Sequence, residues 1–277
     1  MFDTLVTVEE LSGHLDRPGW VIVDCRYDLF NPDAGRQVYL EAHIPGAVYA
    51  DVHDDLSGPP VSDHGRHPLP TAEALIDLFG RLGIEPGTQV VAYDASGGSF
   101  AARLWWLLQY MGHHTAAVLD GGWQAWVAAN GSVVAGEEVN AAAVFRGKPR
   151  TDWLVLLPQI PDEGFLVDSR DAARYRGETE PVDRVAGHIP GAFNRFWQCN
   201  LKQDGMFKLP GALREEFRTL YQEADSDRPV FYCGSGVTAC HNLLAVAHAG
   251  LPPGRLYAGS WSEWCADPHR SVATQTR

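Results

Sequence analysis

The part of this sequence best suited to chemistry is the segment Cys233-Gly234-Ser235-Gly236-Val237-Thr238. The apolar residues 229–232 before it predict a short buried strand, and residues 239–245 after it predict a helix. In an open α/β sheet, ligands bind where a strand ends and the next helix begins. Two glycines in so short a loop allow successive backbone N–H groups to turn inward as an anion cradle, supported by the positive end of the helix. A thiol in this cradle is favoured as the nucleophilic thiolate. The sequence therefore predicts a cysteine nucleophile at position 233.

Three other interpretations of Cys233 compete with this one. A single cysteine is more often a small buried core residue, but a core cysteine does not need a glycine-rich loop. A zinc site built from Cys233 and Cys240 would need further ligands at a suitable spacing, and none is evident in the sequence. A phosphatase of the Cys-x5-Arg type would need an arginine where this chain has Ala239. The nucleophile is the best supported of the four, and Cys240 is predicted to be a core residue of the following helix.

Four sequence blocks occur twice in the same order, which indicates an internal duplication. The paired blocks are Val23-Asp24-Cys25-Arg26 with Val167-Asp168-Ser169-Arg170, Ala42-His43-Ile44-Pro45-Gly46-Ala47 with Gly187-His188-Ile189-Pro190-Gly191-Ala192, Val91-Ala92-Tyr93-Asp94 with Val230-Phe231-Tyr232-Cys233, and Gly122-Trp123-Gln124-Ala125-Trp126 with Ser260-Trp261-Ser262-Glu263-Trp264. We therefore predict two tandem domains, over residues 1–145 and 146–277. In the first copy Asp94 takes the place of Cys233. A carboxylate cannot act as a sulfur nucleophile, so only the second domain is predicted to be catalytically competent.

Each copy alternates short apolar segments with longer helical ones. The predicted strands are Trp20 to Asp24, Val90 to Tyr93, Val118 to Leu119, Phe165 to Asp168, Val230 to Tyr232 and Arg255 to Tyr257. The predicted helices are Glu73 to Leu82, Phe100 to Met111, Leu213 to Glu223 and Thr238 to Ala249. This alternation is typical of an α/β fold, and we expect each domain to be a mostly parallel sheet with helices on both faces. The repeated His-Ile-Pro-Gly-Ala segment predicts a turn that leads into another strand.

The composition limits the partners and the compartment. The chain has 277 residues, a formal net charge of −13 and five cysteines. An acidic protein lacks the basic face that nucleic acid requires, although local arginines can still bind a small anion. Five scattered cysteines make a poor disulfide framework, and the sequence shows neither a secretory leader nor a membrane-spanning apolar segment. We expect a cytoplasmic protein that binds neither nucleic acid nor membrane and uses no metal or organic cofactor.

These features resemble the rhodanese superfamily, and the duplication resembles its tandem-domain sulfurtransferases over essentially the whole chain. The loop from Cys233 to Thr238 resembles the Cys-Gly-Ser/Thr-Gly-Val-Thr signature of members that use 3-mercaptopyruvate. Members that use thiosulfate more often carry charged residues at the positions of Gly234 and Ser235. The resemblance implies that Cys233 takes sulfur from a small anionic donor as a persulfide and passes it to a thiol, cyanide or thioredoxin-like acceptor. Thiosulfate as donor is the alternative, and a non-catalytic sulfur-relay or binding module is a third possibility.

The resemblance also implies which residues bind the donor. The loop residues Gly234, Ser235, Gly236, Val237 and Thr238 would hold the transferred sulfur with their N–H groups. Arg174 and Arg184 match the family's donor-binding arginines, and guanidinium groups suit a carboxylate. The spacing between these two arginines is one residue longer than in the family form compared.

Several histidines are assigned by the same comparison. His67 matches a family histidine, but the acidic residue expected with it falls at His53, unless Asp51 or Asp54 replaces it. We therefore expect His67 to line a cleft between the domains as one of the substrate-binding residues, rather than to form a relay with Ser235. The histidines of the repeated turn, His43 and His188, and the paired tryptophans at positions 123, 126, 261 and 264 are predicted to be structural.

Overall fold

The computed structural model describes residues 1–15, 17–59 and 65–275, and the chain forms two compact units. The first unit comprises Met1–Gly58, Pro70–Arg150 and Gln203–Met206, and the second comprises Pro59–Leu69, Thr151–Lys202 and Phe207–Arg277. The largest segment of the first unit therefore ends at Arg150, and a long segment of the second unit begins at Thr151. The predicted boundary between residues 145 and 146 stays a prediction. Pro59 and residues 65–69, which come from the first half of the sequence, pack with the second unit.

The first unit is a five-stranded sheet with helices between its strands. Its strands are β1 (Leu5–Val6), β2 (Trp20–Asp24), β3 (Ala47–Tyr49), β4 (Gln89–Tyr93) and β5 (Ala116–Leu119). Its helices are α1 (Val8–Ser12), α2 (Asp33–Glu41), α3 (Ala72–Arg81), α4 (Ala101–Tyr110) and α5 (Gly122–Ala128). The strand order is β1-β5-β4-β2-β3, and every neighbouring pair is parallel.

The second unit repeats this arrangement. Its strands are β6 (Leu154–Val155), β7 (Leu166–Asp168), β8 (Phe193–Asn194), β9 (Val230–Tyr232) and β10 (Arg255–Tyr257). Its helices are α6 (Ala172–Tyr175), α7 (Pro210–Ala224), α8 (Ala239–His248) and α9 (Ser260–Trp264), and short 3₁₀ helices cover Thr151–Trp153, Leu157–Asp162 and Trp197–Asn200. The order β6-β10-β9-β7-β8 is the order of the first sheet with each strand replaced by its counterpart, and all pairs are again parallel.

The predicted fold class and duplication are confirmed. The strands β4 and β9 are buried at every position, as expected of a parallel strand covered on both faces. The predicted helix from Leu213 to Glu223 is longer, because α7 begins at Pro210, and proline is well suited to the first turn of a helix. No helix in the described part of the chain is long and apolar enough to cross a membrane.

The repeated Val-Asp-x-Arg block fixes the turn that follows it in space. In the second unit the carboxylate of Asp168 binds Nε and Nη2 of Arg170, with the shortest contact at 2.6 Å. The same Nη2 donates to the carbonyl of Gly187 at 2.6 Å, directly before the His-Ile-Pro-Gly turn. The equivalent residues of the first unit are Asp24, Arg26 and Ala42. A buried ion pair therefore holds each turn against the end of β2 or β7, and this role explains why the two blocks recur together.

The histidines of the repeated turn are buried in equivalent surroundings. The ring of His188 stacks on Tyr175 with centroids 3.6 Å apart, and its Nδ1 lies 2.7 Å from the Tyr175 carbonyl. The ring of His43 stacks on Tyr39 at 4.3 Å, with Nδ1 2.8 Å from the Tyr39 carbonyl. Burial lowers the pKa of His188, which favours a neutral ring. These contacts support a packing role for both histidines.

The second tryptophan of each pair makes the same kind of hydrogen bond in both units. The indole of Trp126 donates to the carbonyl of Ser132 at 2.9 Å, and that of Trp264 donates to the carbonyl of Ser271 at 2.9 Å. Both side chains are buried. The predicted packing role of these two residues agrees with their positions.

Candidate active site

Cys233 lies at the carboxyl end of β9, at the point where the strand order of the second sheet reverses. The chain leaves β7 toward β8 on one side, and β9 lies on the other side of β7. Six residues, 233–238, separate β9 from α8. Crevices at such reversal points are where open α/β sheets bind ligands, because neighbouring loops diverge there.

The backbone of Cys233 is fixed on both sides while its sulfur faces the loop. Its N–H donates to Oγ of Ser260 at 3.1 Å, and its carbonyl accepts the N–H of Trp261 at 3.0 Å. The sulfur accepts the N–H of Gly236 at 3.1 Å, and only 2% of the residue is exposed. The loop therefore already directs one backbone donor at the sulfur.

Further donors of the loop have no acceptor. Within the described residues, no hydrogen bond pairs the N–H groups of Gly234, Ser235, Val237 or Thr238. The residues from Cys233 to Val237 are nevertheless buried. Buried backbone N–H groups are almost always paired, because an unpaired one costs free energy. The ten-residue helix α8 begins directly after this loop, and its N-terminus adds a positive potential there. The loop is therefore suited to hold an anion beside the Cys233 sulfur.

The left-handed backbone of Gly236 makes this loop possible. Its φ is +78°, and a Cβ at this position would lie 2.3 Å from the carbonyl oxygen of Ala258. A side chain would therefore face both backbone strain and a collision with a backbone atom. Glycine at this position lets the N–H of residue 236 reach the sulfur.

The corresponding loop of the first unit shows what such a loop binds. The carboxylate of Asp94 accepts four backbone N–H groups at 2.7 to 2.9 Å, and it is completely buried. The donors are Ser96, Gly98, Phe100 and Ala101. Burial raises the pKa of Asp94, and these four donors oppose the rise by favouring the anion. In this copy the side chain itself supplies the anion that these four backbone donors bind.

Removing this internal anion is expected to destabilise the first unit. In an Asp94→Asn protein an NH2 group would face backbone N–H donors in place of a carboxylate oxygen. We expect a loss of about 2–3 kcal/mol in the free energy of unfolding, because buried donors to a charged group lose their partner. Urea unfolding followed by circular dichroism measures this loss, with the exposed Glu73→Gln exchange as control. An unchanged midpoint would show that the cradle does not require an anion.

Arg174 lies beside the loop within a chain of ion pairs. Its Nε and Nη2 bind Glu180 at 3.1 and 2.7 Å, and Nη2 also donates to Asp183 at 3.1 Å. A Cβ on Gly234 would lie 3.6 Å from the same Nη2. Burial alone would raise the pKa of Glu180, but the hydrogen bonds from Arg174 and from two backbone N–H groups bring it below its usual value. Arg174 is therefore held next to the residue that follows Cys233.

Arg184 is placed differently from Arg174. This residue is exposed, and within the described residues no hydrogen bond or ion pair involves its guanidinium group. The structure does not bring it to the loop through any described contact, and its role in donor binding stays a prediction.

Arg66 is a functional candidate that the sequence analysis missed. Its Nη1 forms an ion pair with Asp183, and a Cβ on Gly234 would lie 2.9 Å from its Nη2. Its backbone N–H donates to Oγ of Ser262 at 3.1 Å. The sequence offered one sign of this role. Arg66 directly precedes His67, the residue that the resemblance had matched to a family histidine.

His67 contacts the loop directly. Its Nδ1 lies 2.7 Å from Oγ of Ser235, and both residues are buried. This contact differs from the expectation that His67 does not act together with Ser235. The difference arises because residues 65–69 pack with the second unit, although they lie in the first half of the sequence. Asp51 uses its carboxylate in its own turn, where it accepts the N–H groups of His53 and Asp54.

The other cysteines are placed as core or surface residues. Cys25, Cys240 and Cys265 are buried, and Cys199 is exposed; all five cysteines are free. Burial raises the pKa of Cys25, which disfavours its thiolate. The thiol of Cys240 lies 3.4 Å from the carbonyl of Gly236, inside α8. Within the described residues no group of histidines, cysteines and carboxylates is arranged to hold a metal ion.

Comparisons with known proteins agree with this architecture. A family model described as "Rhodanese-like domain" matches residues 7–129 and 152–267. A Pseudomonas aeruginosa protein named "Probable 3-mercaptopyruvate sulfurtransferase" is 46% identical over 277 residues, covering 98% of each chain. A Bos taurus protein named "Thiosulfate sulfurtransferase" is 34% identical over 260 residues, covering 89% of this chain and 85% of the relative.

A solved structure supports the same assignment. The structure described as "3-mercaptopyruvate sulfurtransferase from Leishmania major" has a TM-score of 0.82 and 33% identity, covering 95% of this chain and 74% of that chain. Since two copies of one domain account for most of the sequence, this chain belongs to the rhodanese-like domain family.

Proposed function

We propose that this chain is a sulfurtransferase that takes a sulfur atom from 3-mercaptopyruvate onto Cys233 and passes it to a second nucleophile. The observation that carries this proposal is the position of the Cys233 sulfur, 3.1 Å from the N–H of Gly236. The loop is buried, and four more of its N–H groups have no partner in the part of the chain that the structure describes. Such a loop stabilises negative charge on sulfur both before and after transfer.

The first half-reaction forms one bond and breaks one. The thiolate of Cys233 attacks the sulfur of 3-mercaptopyruvate, and a new S–S bond forms. The C–S bond of the donor breaks, and its electron pair stays on carbon as the enolate of pyruvate. This enolate takes up the proton that Cys233 lost, so the products are a Cys233 persulfide and pyruvate. A covalent intermediate divides a difficult transfer into two easier steps.

The second half-reaction restores the enzyme. A thiol, cyanide or thioredoxin-like acceptor attacks the outer sulfur, the S–S bond breaks, and its electron pair returns to Cys233 as thiolate. The outer sulfur brings its proton from the donor thiol, releases it to solvent and then carries negative charge until the acceptor attacks. The proposed role of residues Gly234 to Thr238 is to hold this charge with their N–H groups.

The charges beside the loop favour a carboxylate-bearing donor. Arg174 and Arg66 both reach the space next to Gly234, and a guanidinium group binds a carboxylate through parallel hydrogen bonds. Gly234 and Ser235 add no charge of their own to this side of the loop. Thiosulfate is the second candidate, supported by the name of the bovine relative. We also propose that the bond between His67 and Ser235 fixes the serine hydroxyl beside the donor.

Intact-mass measurement and steady-state kinetics test this function together. After exposure to 3-mercaptopyruvate, the protein should gain the mass of one sulfur atom, mapped to Cys233 by peptide analysis. The kcat/KM for 3-mercaptopyruvate should exceed that for thiosulfate. A higher kcat/KM for thiosulfate would reverse the choice of donor, and an unchanged mass with both donors would favour a non-catalytic binding module.

The proposed site of action is the cytoplasm. All five cysteines are free, which agrees with a reducing compartment where thiol acceptors are abundant. The net charge of −13 disfavours nucleic acid as a partner. The proposed chemistry uses only side chains and backbone groups, without a metal or organic cofactor.

A further inference from the structure

We propose that Trp261 is a positioning residue that fixes the loop of residues 176–187 beside Cys233, a role that rests on the proposed function. This loop carries Asp183 and Arg184. The sequence predicts a packing role for Trp261, and the structure adds a hydrogen bond from its indole ring to this loop.

The loop of residues 176–187 is longer than the corresponding part of the first unit. Tyr39 and Tyr175 are equivalent, because each stacks on the histidine of its repeated turn and donates its hydroxyl to the alanine carbonyl of that turn. Tyr39 lies four residues before His43, whereas Tyr175 lies thirteen residues before His188. The unit that contains the candidate nucleophile therefore has nine more residues at this point.

Charged residues of this loop lie beside the residue that follows the nucleophile. A Cβ on Gly234 would lie 3.7 Å from Oδ2 of Asp183, and the same oxygen accepts a hydrogen bond from Arg174 at 3.1 Å. The resemblance assigns the next residue, Arg184, to donor binding. The position of the loop therefore decides which charges a donor meets next to Cys233.

The loop is held on both sides of Asp183. Before it, the carboxylate of Glu180 accepts a hydrogen bond from Nη1 of the buried Arg170 at 3.1 Å. After it, the carbonyl of Val185 accepts the indole N–H of Trp261 at 2.8 Å. Val185 is 40% exposed, so packing of its own side chain holds it only in part. Without the indole bond, the loop would lose a main-chain anchor two residues from Asp183.

Trp261 is itself held on both faces of its contact with the loop. It is completely buried, and the guanidinium of Arg170 lies over its ring, 4.8 Å from the centroid. Its backbone N–H donates to the carbonyl of Cys233 at 3.0 Å. One residue thus bonds both the main chain of the nucleophile and the loop. Supporting contacts of this kind hold the groups of a site to within about 0.5 Å of their productive geometry.

The counterpart in the first unit shares the packing of Trp261. The guanidinium of Arg26 lies 4.4 Å from the ring centroid of Trp123, and the backbone N–H of Trp123 donates to the Asp94 carbonyl at 2.8 Å. Trp123 is only half-buried, and in the described part of the chain its indole N–H makes no hydrogen bond. The packing is therefore common to both units, and the bond to the loop belongs to the second.

Two matched tryptophan variants test this role. Trp261→Phe removes the indole N–H and keeps an aromatic ring below Arg170. The control is Trp264→Phe in the same helix, which removes an equivalent buried bond to the Ser271 carbonyl. In a double-displacement scheme, kcat/KM for the donor reports the first half-reaction, and kcat/KM for cyanide reports the second.

We expect Trp261→Phe to lower kcat/KM for 3-mercaptopyruvate about tenfold or more, because a displacement of about 1 Å can cost about 100-fold. Its kcat/KM for cyanide should stay nearly unchanged, since the bond to the Cys233 carbonyl comes from the backbone. Trp264→Phe should leave both constants nearly unchanged.

Two further measurements separate positioning from a general loss of stability. Hydrogen exchange of residues 181–187, followed by mass spectrometry, should be faster in Trp261→Phe than in Trp264→Phe, although thermal unfolding should show similar losses in both. Site-specific replacement of Trp261 by benzothienylalanine puts a sulfur in place of the indole N–H and nearly preserves the shape of the ring. This replacement decides the matter where Trp261→Phe is unstable.

The failures of the two proposals are distinguishable. If the unaltered protein does not gain sulfur from 3-mercaptopyruvate, the proposed function is wrong. If it does, and the altered Trp261 proteins keep their donor kcat/KM or their slow exchange at residues 181–187, the role of Trp261 is wrong. An equal fall in kcat/KM for donor and for cyanide, or an equal fall in Trp264→Phe, would also overturn it, because either pattern indicates general distortion.

Discussion

A Cys233→Ser protein is expected to fold normally and to lose sulfur transfer by at least about a thousandfold, because the nucleophile itself is removed. The serine hydroxyl can accept the N–H of Gly236 as the sulfur does, so the loop should keep its conformation. A neutral hydroxyl at this position neither ionises comparably nor forms a stable bond to the outer sulfur. Steady-state rates and intact mass after donor treatment measure the loss.

The matched control is Cys199→Ser, which removes an exposed thiol. This variant should transfer sulfur at the rate of the unaltered protein. Substantial transfer by Cys233→Ser, or loss of transfer in Cys199→Ser, would assign the chemistry to another thiol.

A Gly236→Ala protein is expected to lose about a hundredfold or more in kcat/KM for the donor and to unfold more easily. The new Cβ would lie 2.3 Å from the Ala258 carbonyl oxygen, so the loop backbone must move. The movement withdraws the N–H of residue 236 from the sulfur. In a serine protease, loss of one donor to the developing anion costs about 2.7–4 kcal/mol in transition-state stabilisation. Donor kinetics and thermal unfolding measure the two effects.

Gly191→Ala provides the control for backbone strain alone. Gly191 has a φ of +82°, close to that of Gly236, but a Cβ there would meet nothing within 4 Å. This variant should lose some stability and keep its transfer rate. If Gly236→Ala behaves like Gly191→Ala, the geometry of the loop is not important for transfer.

Much of the fold could be predicted because it depends on local pattern and on repetition. The fully buried strand β9 appears in the sequence as an uninterrupted apolar segment, and the two glycines that follow mark the loop. The duplication then predicts the second sheet from the first, because matched blocks such as Asp24 with Arg26 and Asp168 with Arg170 make the same contacts. Cys233 was identified because its neighbours in sequence are also its neighbours in space.

The residues that the sequence could not place depend on contacts between distant segments. Arg66 and Asp183 are 117 positions apart, and His67 and Ser235 are 168 apart. No local pattern shows that residues 65–69 pack with the second unit. The four donors to Asp94 were also hidden, because the sequence shows an acid in place of the cysteine but not the direction of the backbone N–H groups around it.

The most direct test of this account is a crystal structure of the protein persulfidated by 3-mercaptopyruvate. We expect the outer sulfur on Cys233, within hydrogen-bonding distance of at least two backbone N–H groups of residues 234–238. An outer sulfur that points at aliphatic side chains, with those N–H groups directed elsewhere, would contradict the claim that this loop stabilises a sulfur anion.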